Sequence, residues 1–551
     1  MPAGRLSVVS LLLALLALPA SAADNAAAPT EQPAATRQAD AAPPSSDPAV
    51  ASVEAALAPE IAQRLAGDGG ASAAEREDRS ALARFYEARG QVPVWVGAAA
   101  LTPAGEAAAA EIRKANDWGL EASAFKLPAL RPGSAPSRVE RADAEVLLSL
   151  AILKYARHAR GSRSDPATLS KFLDRRLPLL DPGLVIEAAA KAESPDAYLR
   201  SLNPQHPQFE ALRQKYLALK GGKQVAVARS GPAEEDKKGG KAKAPAPPEP
   251  ASARKLLVNM EEWRWMPEDL GDFYVWVNIP EFTLRVVKDG KVIHTERVVV
   301  GKRDTPTPVF SQNLEQVIFQ PSWGVPESIK RQDVLPSLQR GSTRIFTFYH
   351  LRIQRGGRDV DPATVDWSTA DIRNFHVYQP PGENNVLGNI KFRFPNKHDV
   401  YMHDTPQKNL FNADVRAFSH GCMRVRNPQR LAELVLAEDQ GWPANRVAAA
   451  FNGGPQNNQV SIGRRIPVHI TYFTAAVEPD GKLRLFADIY DHESKIALGM
   501  EGKANLIPRW KEDAAPAHAE PIGHLSESTN DTFGKKDWGR RALSGGVFGN
   551  F

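Results

Sequence analysis

The chain has 551 residues, 42% of them hydrophobic and 24% charged, which is enough for at least two domains with separate cores. The formal net charge of +5 at pH 7 is a mild basic bias, which suits an anionic polymer as a partner without requiring one. With one cysteine and dispersed histidines, the chain cannot form an internal disulfide and lacks the ligand spacing of a zinc site.

The N-terminus has the three parts of an export signal. Met1–Arg5 form a short basic start, Leu6–Leu18 a mostly apolar run, and Ala20–Ala22 the small residues before a signal-peptidase cut. The apolar run is shorter than the about 20 residues that span a bilayer. We therefore expect residues 1–22 to be removed and the remaining chain to be soluble, with no transmembrane anchor. Nucleic acid is a poor partner for such an exported chain, and a lipid anchor is excluded because Cys422 lies far from the cut.

Two ranges of different composition follow the signal. Residues 23–50 are mainly Ala, Pro, Gln, Ser and Asp and predict a disordered segment. Between 51 and 220, apolar residues recur at helical spacing, which predicts a mainly helical domain. Three prolines of this domain stand where helices are expected to begin, because the first residue of a helix needs no N–H: Pro103, Pro166 and Pro195.

A domain with a different period begins after a linker. Residues 221–254 have the Pro, Lys and Ala bias of a flexible tether. Beyond it, Phe273–Ile279 and Thr283–Val287 alternate as strands do, and Asp289-Gly290 is a strong signal for a two-residue hairpin turn. Residues 255–506 are therefore predicted to form a mainly β domain.

Two further elements are predicted in this domain. A second Asp-Gly pair, Asp480-Gly481, predicts a hairpin that joins His469–Phe473 to Leu483–Phe486. Asn427-Pro428 predicts the start of a helix that runs to about Glu438.

A long insertion at about 320–376 interrupts the β pattern. A short helix is predicted at Ser328–Leu335, which Pro336 would end. An insertion of this size in a small β domain is typical of a lid or a binding loop. The polar residues 507–551 predict a disordered tail.

The residues around Cys422 favour chemistry over inert packing. A thiol with an ordinary pKa of about 8.5 is only partly ionised near neutral pH, so a catalytic cysteine needs a nearby histidine or another positive group. His420, two residues before Cys422, and His403, nineteen residues before it, both qualify. The alternative is a buried, inert cysteine, which is the more common case for an isolated His-Gly-Cys tripeptide.

The glycine beside this cysteine suggests a second role for the loop. Gly421 permits close approach of a substrate to the backbone, and the N–H groups of Gly421, Cys422 and Met423 are candidates for stabilising a developing oxyanion. The alternative is a bulge in a strand.

Several segments in order resemble the L,D-transpeptidases, whose catalytic domain is called YkuD-type. The active-site signature is carried by Tyr401-Met402-His403-Asp404-Thr405-Pro406, by Ser419-His420-Gly421-Cys422-Met423-Arg424 and by the approach Gly388-Asn389-Ile390-Lys391-Phe392. Three further segments resemble the long, YcbB-like branch of this family: Met260-Glu261-Glu262-Trp263-Arg264-Trp265, Thr305-Pro306-Thr307-Pro308 and, in the helical scaffold, Asp117-Trp118-Gly119-Leu120. The small peptidoglycan-binding module usual in that branch has no recognisable counterpart in this sequence.

The resemblance implies a multidomain α+β protein, in which a mainly helical scaffold domain precedes a mainly β YkuD-type catalytic domain with a lid-like insertion. It also implies a peptidoglycan L,D-transpeptidase. Cys422 would attack the bond between diaminopimelate and the terminal D-alanine of a tetrapeptide donor stem. D-alanine would leave, and an amine of an acceptor stem would take the acyl group to give a 3-3 cross-link. His403 would act as general base and later as acid, with its second ring nitrogen held by a backbone carbonyl such as that of Asp404.

The resemblance also assigns weaker roles to the surrounding residues. Tyr401 would line the oxyanion or substrate pocket, with an ordinary core tyrosine as the equal alternative. Arg424 would bind a stem carboxylate or, preferably, anchor the loop. Ser419 and His420 would fix the loop by hydrogen bonds, and the side chain of Asp404 would be structural. Trp323 and the insertion are candidates for the donor pocket and its lid, although Trp323 equally suits the core.

The expected surroundings follow from the same resemblance. No metal, ATP or other cofactor is implied, the compartment is a Gram-negative periplasm, and carbapenems are expected to add covalently to Cys422. Two rival functions remain open. The same cysteine and histidine would serve an L,D-carboxypeptidase or another hydrolase with water as acceptor, and a non-catalytic wall-binding scaffold is a different class altogether.

Overall fold

A computed structural model describes residues 57–67, 72–130, 135–228, 251–327 and 330–508, with the side chains of 332 and 333 excepted. The predicted export signal, the predicted disordered segment 23–50 and nearly all of the predicted tail lie outside these residues. None of the described helices is long and apolar enough to cross a membrane.

The N-terminal region is helical, as its periodicity predicts. Its helices are α1 (Ala58–Ala66), α2 (Ala73–Ala88), α3 (Pro103–Arg113), α4 (Arg138–Ala159), α5 (Pro166–Leu169), α6 (Pro182–Lys191), α7 (Pro195–Ser201) and α8 (Pro207–Lys220). All three prolines predicted to begin helices do so. The longest helix, α4, begins at a capping box in which the Ser137 hydroxyl and the Glu140 carboxylate each accept a backbone N–H of the other residue. A continuous apolar core forms around α4.

The C-terminal region is mainly β, again as predicted. Its strands are β1 (Phe273–Asn278), β2 (Thr283–Lys288), β3 (Lys291–Gly301), β4 (Phe310–Asn313), β5 (Gln316–Phe319), β6 (Trp323–Gly324), β7 (Arg352–Arg355), β8 (Arg358–Asp359), β9 (His376–Gln379), β10 (Ile390–Arg393), β11 (Met402–His403), β12 (Ala417–Ser419), β13 (Met423–Val425), β14 (Asn458–Ser461), β15 (Pro467–Thr471), β16 (Ala475–Val477) and β17 (Leu483–Leu485). The helices of this region are α9 (Ala253–Arg264), α10 (Leu335–Gln339), α11 (Arg344–Phe348), α12 (Pro428–Gln440), α13 (Ala444–Asn452) and α14 (His492–Met500).

Among the described residues, eleven strands form one sheet. Ten follow the order β14-β5-β10-β11-β13-β3-β2-β1-β15-β4, and β12 pairs with β3. The hairpin predicted at Asp289-Gly290 joins β2 to β3, and both residues have positive φ, +49° and +70°, as a type I′ turn requires. The helix predicted after Asn427 is α12, and the Asn427 side chain accepts the N–H of Arg430 at its start. β11 and β13 lie in the middle of this order.

The second hairpin differs from its prediction. Asp480-Gly481 does lie in a turn, but the turn joins β16 to β17 in a separate sheet. β15 ends at Thr471 and pairs with β1 and β4 instead. Two buried asparagines separate β15 from β16, because Asn278 Oδ1 accepts the N–H of Phe473 and Asn259 Oδ1 accepts those of Thr474 and Ala475. Backbone groups bonded to side chains are lost to strand pairing.

The insertion also corrects a prediction. β6, β7, β8 and β9 form a second small sheet in the order β6-β9-β7-β8. Pro336 does not end a helix, since it lies in the first turn of α10, directly after a π-helical turn at Lys330–Val334. A proline is tolerated there because the first turn of a helix leaves its N–H groups unpaired.

Helix α9 joins the two regions. Its Arg264 guanidinium, 1% exposed, donates to the carbonyls of Ala159 and Trp118 and to Asn203 Oδ1, at 2.6–2.9 Å. Its apolar side chains share a cluster with α8 and with β16 and β17. The described residues at both ends of the predicted linker are also structured. Val227 pairs with Leu483, and α9 begins at Ala253.

Candidate active site

His403 and Cys422 come together because two short strands run side by side in the same direction. The parallel pairing of β11 with β13 sets Met402 opposite Met423 and His403 opposite Arg424. Cys422 directly precedes β13. Since side chains alternate along a strand, Cys422 projects on the same face as Arg424 and hence as His403. The sheet thus closes the nineteen-residue gap between the two residues.

The hydrogen bond of the His403 ring determines which nitrogen acts as a base. Nδ1 lies 2.5 Å from the carbonyl oxygen of Asp404, and a carbonyl only accepts, so Nδ1 carries the proton. Nε2 is buried and has no hydrogen-bond partner among the described residues. Burial, followed by the nearby Arg424, lowers the pKa of His403 well below its ordinary value. The neutral ring therefore presents an acceptor nitrogen at neutral pH.

The side chain of Asp404 fixes the backbone that holds this ring. Its carboxylate accepts the N–H groups of Asn389 (3.0 Å) and Thr405 (2.7 Å) and the ammonium of Lys408 (2.5 Å). Gly388 makes room for this carboxylate, since a Cβ at Gly388 would lie 2.4 Å from Asp404 Cγ. The carboxylate is therefore a clamp for the turn, and the carbonyl of Asp404 orients the histidine.

The loop that carries Cys422 is held at several consecutive peptide groups. The Ser419 hydroxyl donates to the carbonyl of Cys422 at 2.6 Å and accepts the N–H of Gly421 at 3.2 Å. The carbonyl of Gly421 accepts the hydroxyl of Thr307 at 2.8 Å. Gly421 has φ of +116°, a conformation that residues with a Cβ rarely adopt. The sharp bend and its hydrogen bonds fix the backbone around the thiol.

Two of the three predicted oxyanion donors form hydrogen bonds within the protein. The N–H of Met423 donates to the carbonyl of Tyr401 at 3.0 Å, because β13 continues the sheet there. The N–H of Gly421 donates to the Ser419 hydroxyl. Both amides therefore have acceptors within the protein, and the assignment of the oxyanion donors stays a prediction.

Comparison with known families adds to this geometry. Residues 272–465 match the family described as "L,D-transpeptidase catalytic domain", YkuD, and residues 80–215 match the family described as "Scaffold domain". The chain carries a YkuD-type L,D-transpeptidase catalytic domain behind a scaffold domain. The catalytic match includes β1 to β14 and therefore both strands that bring His403 and Cys422 together.

Individual relatives are similar over part of the chain. A candidate L,D-transpeptidase of Haemophilus influenzae is 34% identical over 248 residues, which are 44% of this chain and 49% of the relative, so the match spans about half of the relative's length. An L,D-transpeptidase structure from Mycobacterium smegmatis is 16% identical, covers 36% of this chain and 58% of its own, and has a TM-score of 0.17. L,D-transpeptidase 3 from Mycobacterium tuberculosis, in complex with a faropenem-derived adduct, is 14% identical, covers 36% and 60%, and has a TM-score of 0.18.

Two other predicted site residues, Tyr401 and Trp323, are buried in the L,D-transpeptidase domain. The Tyr401 and His403 rings meet edge to face with centroids 5.6 Å apart, and both residues are buried. Trp323 is 0% exposed and belongs to the main hydrophobic core. The same core contains Tyr401 and Cys422, so the place of Trp323 in a donor pocket stays a prediction.

Arg424 and His420 are buried on either side of the cysteine. The Arg424 guanidinium donates to Gln407 Oε1 at 2.6 Å, a contact that ties β13 to the turn after β11. Burial, then Lys302 and Arg424, lowers the pKa of His420 to about 2, so its ring is neutral at physiological pH. The His420 ring therefore supplies no mobile proton near neutral pH.

Three residues near the site have no role predicted from the sequence. Lys391 is 3% exposed, lies opposite His403 in the β10–β11 pair and places its ammonium 4.0 Å from the centroid of the Tyr401 ring. Gln407 and Thr307 reach the cysteine loop from distant segments. Lys391 and Thr307 lie in two of the segments that carry the family resemblance, which is the one signal that the sequence offers for them.

Proposed function

We propose that this protein is a peptidoglycan L,D-transpeptidase that uses Cys422 as nucleophile and His403 as general base and acid. The observation that carries the proposal is the parallel β11–β13 pairing, which sets a neutral histidine, held at Nδ1, beside the single thiol of an L,D-transpeptidase domain. A histidine fixed in this tautomer offers Nε2 to a thiol proton. The finer roles of the loop follow from the same arrangement.

The reaction proceeds in two acyl transfers. Nε2 of His403 takes the thiol proton, and the sulfur of Cys422 attacks the carbonyl between diaminopimelate and D-alanine of a donor stem. The oxyanion that forms collapses, the carbon–nitrogen bond breaks, and His403 returns the proton to the leaving D-alanine amine. An amine of an acceptor stem then attacks the thioester, gives its proton to His403 and restores the thiol. One amide replaces another, so no ATP is consumed.

The burial of the site sets a condition for this chemistry. Cys422 is 0% exposed and His403 1% exposed, so a stem peptide reaches the sulfur only after covering groups move aside. The insertion at about 320–376, with its own small sheet, is the proposed lid. The proposed compartment is the periplasm, reached through the predicted N-terminal signal.

Carbapenems are proposed as covalent inhibitors because their strained carbonyl resembles the scissile amide and stays bonded to the thiol after ring opening. The faropenem-derived adduct of the Mycobacterium tuberculosis protein is an observation on that protein. An intact-mass increase equal to one carbapenem, absent in Cys422→Ser, is the expected result here.

The deciding experiment is incubation with purified disaccharide-tetrapeptide, followed by mass analysis of the products. We expect cross-linked dimers and free D-alanine from the unaltered chain and neither product from Cys422→Ser or His403→Gln. The matched control is His294→Gln, in β3, which removes a histidine outside the site. D-alanine release by Cys422→Ser would refute the nucleophile. Tripeptides without dimers would identify a carboxypeptidase instead.

A further inference from the structure

Thr307, in the segment between β3 and β4, contacts the cysteine loop from 114 residues away in the sequence. It is 0% exposed, and its hydroxyl lies 2.8 Å from the carbonyl oxygen of Gly421. We propose that Thr307 is a positioning residue that aims the N–H of Cys422 at the oxyanion of the acyl transfer. The inference depends on the proposed function, because it concerns a charge that forms only when the thiol attacks a carbonyl.

The direction of this hydrogen bond follows from proton counting. The Thr307 hydroxyl has one proton, and its oxygen lies 2.9 Å from the N–H of Gly301, which can only donate. The hydroxyl oxygen therefore accepts from Gly301, and the hydroxyl proton points to the carbonyl of Gly421. The donor direction is fixed by the backbone of β3.

Because the peptide group is planar, this contact also sets the direction of the N–H of Cys422. Gly421 C=O and Cys422 N–H belong to the same trans peptide unit and point in opposite directions. Holding the oxygen toward Thr307 therefore turns the N–H of Cys422 away from Thr307. A hydrogen bond to the carbonyl also polarises the unit and makes the N–H a stronger donor.

The neighbouring peptide groups have their own restraints, which leave a distinct task to Thr307. Ser419 holds the N–H of Gly421 and the carbonyl of Cys422, and Tyr401 holds the N–H of Met423. These bonds fix the units before and after the Gly421–Cys422 peptide. Because Gly421 lacks a Cβ, its torsions resist rotation of that peptide weakly. The Thr307 hydroxyl supplies a restraint on the unit itself.

Thr307 is itself held from the opposite side. Its N–H donates to the Tyr490 hydroxyl at 3.3 Å, and that hydroxyl donates to the carbonyl of Gly301 at 2.6 Å. The Tyr490 N–H in turn donates to the Tyr472 hydroxyl at 2.7 Å. A Cβ on Gly301 would lie 2.1 Å from the carbonyl oxygen of Thr305, so the two segments approach as closely as a glycine allows. The Thr307 hydroxyl is anchored in a rigid network.

The test compares two reactions of the same thiol. Acylation by meropenem creates an oxyanion, whereas alkylation by iodoacetamide displaces iodide and creates none. We expect Thr307→Val to slow acylation about tenfold to hundredfold, which is less than the slowing expected when an oxyanion donor itself is removed. The rate of alkylation should stay within about twofold of the rate of the unaltered chain. Thr307→Ser keeps the hydroxyl and is expected to recover most of the acylation rate. The control Thr471→Val removes another buried hydroxyl, bonded to the carbonyl of Val277, and is expected to change neither rate.

The outcomes distinguish a failure of the proposed function from a failure of the positioning role of Thr307. No meropenem adduct on the unaltered chain would refute the proposed function. An adduct that forms at equal rates on the unaltered chain and on Thr307→Val would refute only the positioning role, as would equal slowing of acylation and alkylation. If Thr307→Val does not fold, Tyr490→Phe decides, because it removes the hydroxyl that accepts the Thr307 N–H. Selective slowing of acylation in Tyr490→Phe supports the role, and unchanged acylation overturns it.

Discussion

Gly388 allows a test of how the catalytic histidine is supported. It has φ of +59°, and a Cβ at this position would lie 2.4 Å from both Cγ and Oδ2 of Asp404. Gly388→Ala therefore forces the carboxylate of Asp404 away from the N–H of Asn389, which it accepts at 3.0 Å. Gly441, which follows α12, has a similar φ of +67° with nothing within 4 Å of the added Cβ. Gly441→Ala is thus the matched control for backbone strain.

The two variants differ by a calculable amount. Left-handed backbone costs a residue with a Cβ about 1–2 kcal/mol, and both variants incur this cost. A lost hydrogen bond to a charged group costs a further about 1.5–3 kcal/mol, which only Gly388→Ala incurs. The expected loss in free energy of unfolding is therefore about 2.5–5 kcal/mol for Gly388→Ala and about 1–2 kcal/mol for Gly441→Ala.

Urea unfolding followed by tryptophan fluorescence measures this difference. Acylation by a carbapenem, measured where both variants are folded, gives a second readout, because the displaced Asp404 also carries the carbonyl that orients His403. We expect slower acylation in Gly388→Ala alone. Equal destabilisation and equal acylation rates in the two variants would refute the reasoning.

Two predictions concern pH. Burial, with Glu493 and Asp488 nearby, raises the pKa of Glu262 well above its ordinary 4.5, so the folded chain holds a proton that the unfolded chain releases, and stability falls as pH rises above about 4.5. Glu262→Gln should therefore raise the urea midpoint at pH 8 and leave it nearly unchanged near pH 4, and a lower midpoint at pH 8 would contradict this. Because burial and Arg424 lower the pKa of His403 well below 6.5, acylation should stay constant from about pH 8 to 6.5 and decline only at lower pH; a decline centred at 6.5 would contradict it.

Local signals in the sequence predicted the parts of the fold that local chemistry determines. Asp289-Gly290 adopts positive φ at both residues. Few other residue pairs tolerate this conformation, so the hairpin was predictable from the sequence. The Asp480-Gly481 turn was predicted equally well, but its partner strands were not. They depend on Asn259 and Asn278, which bond the chain about 200 residues away. Contacts between such distant residues leave no periodic pattern or motif in the sequence.

In the candidate site, too, local sequence patterns were predictive and contacts between distant segments were not. Cys422 and His403 were identifiable because the sequence around each has a recognisable pattern of residues. The hydrogen-bond partners of the loop amides were not identifiable, since the N–H of Met423 pairs with Tyr401 only through the sheet. The role of Trp323 stays a prediction, because an indole suits a pocket wall and a core equally well and Cys422 is as deeply buried as Trp323. Thr307 had no local sign of its contact with Gly421.

Helix α9 determines how the two domains can be recombined. Arg264 finds its acceptors in three separate segments of the scaffold, at Trp118, Ala159 and Asn203. A chain shortened to begin at the catalytic domain would leave this guanidinium buried without them and would uncover the apolar surface that α9 shares with α8. A chimera with a foreign scaffold would have to supply three equivalent oxygen atoms at the same points. Exchange of the scaffold together with α9 is therefore the more conservative way to recombine these domains.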